Sequence, residues 1–247
     1  MDIRLFLDST YLKTASQAEL DESQNQAVAE HFIKEAIDEG FKLIMIRPEM
    51  VALARKMISE AGSNVQTGTV IDFPLGKSAI EDKLAEATQA IADGADELDF
   101  VCNYEAFKKG ETNLVKEEIL RGTQLALANN KIIKWIIEVA ALTDKQIIQL
   151  SALIKNIVIA NFEETDYTRV FVKSSTGFFQ TNNNEPNGAT IPSVMMMLEN
   201  ASPLPVKAAG GVRNYQEAIA MIKLGVKRIG TSAAKAIVNG ENSQNEY

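Results

Sequence analysis

The chain has 247 residues, 46% of them apolar and 23% charged, with a formal net charge of −8. That is enough for one large domain or two small ones with an ordinary core, and the acidic balance argues against nucleic acid or an anionic membrane as partner while leaving room for a locally basic phosphate pocket. One cysteine, Cys102, and one histidine, His31, exclude an internal disulfide framework and a Cys/His zinc site, and point to a cytoplasmic protein that carries no metal.

The opening MDIRLFLDST lacks the apolar run and cleavage-like site of a signal peptide, and no stretch approaches eighteen apolar residues, so no membrane span is expected. A first strand is predicted over 5–10, then a helix over 17–39 closed by Gly40. A strand over 42–46 leads through Pro48 into a helix over 49–61 closed by Gly62. Next come a strand over 65–73 and a helix over 78–93, whose Leu84, Ala87, Ala90 and Ile91 form one apolar stripe before Gly94. A strand over 97–102, a helix over 112–129 and a strand over 131–139 follow. The cluster Lys116–Glu118 reads as a solvated helix face. A sixth strand over 169–174 precedes QTNNNEPNG at 180–188, whose asparagines suggest an exposed loop. Pro192 suits a helix start. Strands over 204–209 and 226–232 flank a helix over 215–224, and a short helix at 233–238 leads to a polar tail at 239–247.

Eight short strands, each followed by a helical stretch, suggest a (β/α)8 TIM barrel forming a single domain over 1–247. A doubly wound open sheet uses the same alternation, but no GxGxxG follows the first strand and no GxxxxGK[ST] occurs.

A barrel carries its chemistry at the C-terminal ends of its strands. The polar residues there are Asp8, Asp72, Asp99, Glu138, Lys173 with Ser174, Ser175 and Thr176, Lys207 with Gly210 and Gly211, and Gly230 with Thr231 and Ser232. Lys173 and Lys207 come from adjacent strands. Two amines close together in a poorly solvated interior cannot both stay protonated, and a neutral lysine attacks a carbonyl to give a Schiff base. The alternative for Lys173 is a structural ion pair with Asp99 or Glu138; for Lys207 it is a plain phosphate or carboxylate partner. Asp99 could serve only as the counter-ion of Lys207. Asp8, Asp72 and Glu138 read as hydrogen-bonding supports. The glycine turns at 210–211 and 230–232 suit a phosphate cradle.

The stretches LDSTYLK at 7–13, VIDFPLG at 70–76, ADELDFV at 95–101, KWIIEV at 134–139, FVKSSTGF at 171–178, VKAAGGVR at 206–213 and RIGTSAA at 228–234 together resemble the deoxyribose-phosphate aldolase family. The most specific element is a lysine before Ser-Ser-Thr-Gly, with a second lysine ahead of a Gly-Gly pair thirty-four residues later. The resemblance implies a barrel that reversibly cleaves 2-deoxy-D-ribose 5-phosphate to acetaldehyde and D-glyceraldehyde 3-phosphate with no cofactor. It implies that Lys173 forms the Schiff base, that Lys207 depresses its pKa, and that Asp99 relays protons. Gly177, Gly210, Gly211, Gly230 and Ser232 would surround the phosphate, and the terminal Tyr247 would assist proton transfer. Homodimers are common among such barrels. Departures fall at Ser9, where the family has histidine, at Met45–Pro48, at Val139-Ala140 after Glu138, at Ala233, and in the longer 180–188 loop. They leave open another phosphorylated sugar as substrate. A non-catalytic sugar-phosphate-binding barrel is the rival of a different class.

Overall fold

The computed structural model describes residues 1–182 and 185–241. Eight parallel strands close into a barrel in chain order: β1 (Leu7–Tyr11), β2 (Leu43–Ile46), β3 (Gln66–Ile71), β4 (Glu97–Val101), β5 (Ile132–Ile136), β6 (Val170–Lys173), β7 (Val206–Ala209) and β8 (Arg228–Thr231). β8 pairs back onto β1 with Asp8 opposite Gly230. Every predicted strand is present; each is trimmed by one or more residues, and the first also runs one residue further, to Tyr11.

The outer layer comprises α1 (Ala15–Ala18), α2 (Glu22–Glu39), α3 (Val51–Glu60), α4 (Ile80–Ala92), α5 (Tyr104–Lys108), α6 (Thr112–Ala128), α7 (Asp144–Asn161), α8 (Ile191–Ala201), α9 (Tyr215–Leu224) and α10 (Ala234–Asn239). None of the helices among the described residues is long and apolar enough to cross a membrane. The predicted helix over 17–39 is two helices. Thr14 and Asp21 each form a reciprocal cap with a glutamine three residues on, and Glu19 between them is left-handed at φ 57°. Two caps that close need two helix starts. The helix α5 was not expected; the Asn103 side chain caps it.

Strand alternation sorts the residues into two cores. Outward-facing Ile44, Ile46, Leu98, Phe100, Ile133, Trp135, Val172 and Ile229 pack under the helices. Inside the barrel, apolar packing by Leu12, Leu43, Met45 and Val70 fills the β1–β3 side. A second apolar group, Val101, Tyr104 and Ile136, lies on the β4–β5 side, and between the two sits a group of charged side chains.

Glu118 corrects the reading of Lys116–Glu118 as a solvated face. It is buried on α6, where Lys83 of α4 donates to its Oε1 and the Asn103 amide donates to Oε2 at 2.9 Å. Lys83 also donates to the carbonyls of Gly76 and Val101, at 2.9 and 2.8 Å. A buried cation on the neighbouring helix thus recruits one member of an otherwise exposed charge run.

Candidate active site

Pairing in β4–β8 brings the chemistry together. Asp99 stands opposite Lys134, Lys173 opposite Lys207, and Lys207 opposite Arg228. Asp99 Oδ1 accepts from Lys134 Nζ at 2.6 Å, and its Oδ2 accepts from Lys173 and Lys207 at 2.8 and 2.9 Å. Lys134 also lies 2.6 Å from Glu97 Oε2, and Lys207 lies 2.6 Å from Asp8 Oδ2. Arg228 joins Asp8 Oδ1 to Glu97 Oε1 at 2.7 and 2.9 Å. The contacts close a ring of alternating sign: Arg228, Glu97, Lys134, Asp99, Lys207, Asp8 and back to Arg228. Lys173 hangs from Asp99 outside it, and Asp99 is its one ion-pair partner among the described residues.

These positions fix the charge states. Burial drives Lys173 toward the neutral amine; Asp99 opposes this, and Lys207 and Lys134 reinforce it, leaving a pKa of about 8. Roughly one amine in ten is then free at pH 7, against about one in a few thousand for an ordinary lysine. Burial leads here and Lys207 is a secondary contributor, which reverses the emphasis of the family pattern. For Lys207 burial also favours neutrality, but Asp8 and Asp99 outweigh it and raise its pKa above the ordinary lysine value. Burial works against the Asp99 carboxylate, yet Lys134, Lys173 and Lys207 hold its pKa well below the usual range. Asp8 is also lowered: burial is overcome by Arg228, Lys207 and Lys134. The adjacent amines are therefore shifted in opposite directions: Lys173 gives up its proton more readily than an ordinary lysine, and Lys207 holds its proton more firmly.

Glu138 closes β5 in a left-handed conformation at φ 55°. Its Oε2 accepts from the Thr176 amide at 3.1 Å and from the Thr176 hydroxyl, while Oε1 is buried without a hydrogen-bond partner. Burial raises its pKa despite hydrogen bonds from Thr176 and Ser175. The predicted support role fits: Glu138 holds the turn that follows Lys173. Asp72 supports its own loop, accepting from the Ser78 amide and hydroxyl at 2.8 and 2.7 Å.

The predicted phosphate residues divide. Gly177, Gly210 and Gly211 all have positive φ, at 82°, 77° and 84°. Ser174 Oγ binds the Ala209 carbonyl and amide at 2.8 and 2.9 Å, which ties the 174–177 turn to the 210–211 turn. The Thr231 hydroxyl donates to the Val212 carbonyl at 2.8 Å and brings Ser232 alongside. A cavity of about 570 Å3 opens beside the 210–211 turn, lined by Gly210, Gly211, Arg213, Asn187 and Gln180 among others; Gly177 and Ser232 are not among its lining residues. Gly230 has a packing task as well. A Cβ there would lie 3.0 Å from Lys207 Cε and 3.2 Å from Ala209 Cβ, so its missing side chain makes room for the Lys207 stem. Tyr247 lies outside the described residues.

Lys134, Glu97, Arg228 and Arg213 were not singled out in the sequence. The first three share strand parity with predicted neighbours: Glu97 with Asp99, Arg228 with Gly230, and Lys134 with inward-facing Ile136. A period-two reading of each strand would have found them.

A family model described as DeoC/LacD family aldolase matches residues 8–239. The deoxyribose-phosphate aldolase of Thermococcus gammatolerans is 38% identical over 244 residues, covering 97% of this chain and 96% of that protein. The Streptococcus suis deoxyribose-phosphate aldolase is 35% identical over 248 residues, the whole of both chains. Among solved structures, an aldolase called QR15 superposes with a TM-score of 0.79 at 30% identity, covering 97% of this chain and 95% of that one. The deoxyribose-phosphate aldolase of Aeropyrum pernix, described as tetrameric, gives 0.74 at 26%, covering 96% and 90%. This chain belongs to the DeoC/LacD aldolase family.

Proposed function

We propose that the protein is a deoxyribose-phosphate aldolase that cleaves 2-deoxy-D-ribose 5-phosphate reversibly, through a Schiff base on Lys173. The observation that carries the reading is a buried lysine with a pKa of about 8 beside a second lysine that stays charged.

The neutral amine of Lys173 adds to the open-chain aldehyde at C1, and loss of water gives an iminium. A base takes the C3 hydroxyl proton, the C2–C3 bond breaks, and its electron pair moves into the iminium to form an enamine. Glyceraldehyde 3-phosphate leaves. The enamine takes up a proton at C2, and hydrolysis releases acetaldehyde and restores the amine. Asp99 and Lys207, hydrogen-bonded at 2.9 Å, move these protons, with a water completing the relay. Tyr247 assists at the substrate, by family resemblance.

Amides of the Gly177, Gly210 and Gly211 turns, with Ser232 and the Arg213 cation, hold the 5-phosphate. That remote binding energy positions C1 against Lys173. A buried free Cys102 suits a reducing compartment, and we assign the enzyme to the cytoplasm.

The test is turnover of 2-deoxyribose 5-phosphate with both products measured, beside a panel of other phosphorylated sugars and aldehyde donors. Acetaldehyde and glyceraldehyde 3-phosphate in equal amounts support the assignment. Faster turnover of a different sugar would reassign the substrate.

A further inference from the structure

The interior ring contains three carboxylates, Asp8, Glu97 and Asp99, and three cations, Lys134, Lys207 and Arg228, in strict alternation. It is neutral without Lys173, the seventh charged side chain. Among the described residues of the interior, an ammonium on Lys173 would be the one charge with no counter-charge of its own. Glu138, the other carboxyl at this level, is engaged by Thr176. The groups around Lys173 are thus Asp99 from β4, Lys134 and Glu138 from β5, and Lys207 from β7. Asp8, Glu97 and Arg228 stand behind them.

We propose that Lys134 is a positioning residue for catalysis: by closing the ring between Glu97 and Asp99, it uses up the interior's negative charge and leaves Lys173 as the surplus cation that sheds its proton. Lys134 is fully buried and pairs with Glu97 and Asp99. It acts through Asp99, whose Oδ1 it occupies while Lys173 shares Oδ2 with Lys207. Opposite charges within a few ångströms move a pKa by about 1–3 units, so one extra or missing ring charge should be visible in the amine's titration. This inference rests on Lys173 being the nucleophile.

Charge counting gives distinct signs for three variants. Lys134→Met removes one cation, frees Asp99 for Lys173, and should move the acid limb of imine formation upward by about 1–2 pH units. Glu97→Gln removes one carboxylate and should move it downward. Glu97→Gln combined with Lys134→Met removes one of each and should return the limb near the wild-type position. The experiment follows the rate of borohydride-trapped adduct with 2-deoxyribose 5-phosphate against pH in the full-length protein. Competitive acetylation of Lys173 with acetic anhydride, mapped by mass spectrometry, reads the same titration without any sugar.

A merely structural Lys134 would lower stability and leave the limb unmoved in every folded variant, which would overturn the proposal. If Lys134→Met does not fold, Glu97→Gln and the double variant carry the test through the difference between their limbs; equal limbs overturn it. Absence of any adduct in the wild type would count against the aldolase reading itself. The acetylation profile would then still decide whether the ring sets the ionisation of Lys173.

Discussion

Lys173 and Lys207 face each other across the β6–β7 ladder and donate to the same oxygen of Asp99, at 2.8 and 2.9 Å. They nevertheless differ in how firmly each holds its proton. Lys207 has a second carboxylate, Asp8, 2.6 Å away, whereas Lys173 has only its share of Asp99. In the proposed mechanism, one additional counter-ion is what separates a lysine nucleophile from a lysine proton donor.

Imine formation should follow the free-amine form of Lys173. Below pH 8 the rate is expected to rise about tenfold per pH unit, then level off near a midpoint of about 8. A stopped-flow or trapping profile from pH 5.5 to 9.5 checks this. A midpoint above 10 would mean that Lys173 is an ordinary ammonium.

Lys173 should destabilise the fold at neutral pH. In the unfolded chain it keeps its proton up to about 10.5, and in the folded chain only to about 8. Between those values the unfolded state binds more protons, so wild-type stability rises with pH there, and below pH 8 the full cost of roughly 3 kcal/mol is present. Lys173→Met is therefore expected to be inactive yet more stable at pH 7 by roughly 1–3 kcal/mol, with the advantage shrinking toward pH 10.5. Chemical denaturation at pH 7 and pH 10 measures it.

Asp99→Asn should be severe in both respects. It leaves Lys134, Lys173 and Lys207 around a neutral amide, and breaking a buried ionic network in this way typically costs about 3–5 kcal/mol. Turnover should fall by roughly 100-fold or more as proton relay is lost. Activity close to wild type in a folded variant would remove Asp99 from the mechanism.

Gly211→Ala isolates the phosphate turn. A Cβ there meets nothing nearer than Ala189 O at 3.8 Å, so the penalty comes from φ 84° alone, roughly 1–2 kcal/mol. KM for 2-deoxyribose 5-phosphate should rise several-fold, while activity on unphosphorylated 2-deoxyribose stays nearly constant. Equal loss on both sugars would place the phosphate elsewhere. Gly210→Ala should be worse, because its Cβ would come 2.9 Å from Gly188 Cα.

Much of this site was legible in the sequence because a parallel barrel converts strand ends into neighbours. Once RVFVKSS and LPVKAA read as consecutive strands, Lys173 and Lys207 had to adjoin, and their ladder pairing follows. The closed ring was hidden for a different reason. Its members Arg228, Glu97 and Lys134 lie at the starts or middles of their strands, where charge looks out of place among apolar neighbours. They are tolerated because each meets its partner across the interior, up to 220 residues away in sequence for Arg228 and Asp8. Gly230 has a further reason to be glycine that nothing local reveals: the Lys207 stem needs the space.

The most direct measurement is borohydride trapping with 2-deoxyribose 5-phosphate, followed by mass spectrometry and peptide mapping. The account predicts a reduced adduct on Lys173 that disappears in Lys173→Leu. No adduct under conditions where the sugar demonstrably binds, or an adduct on Lys207 instead, would contradict it.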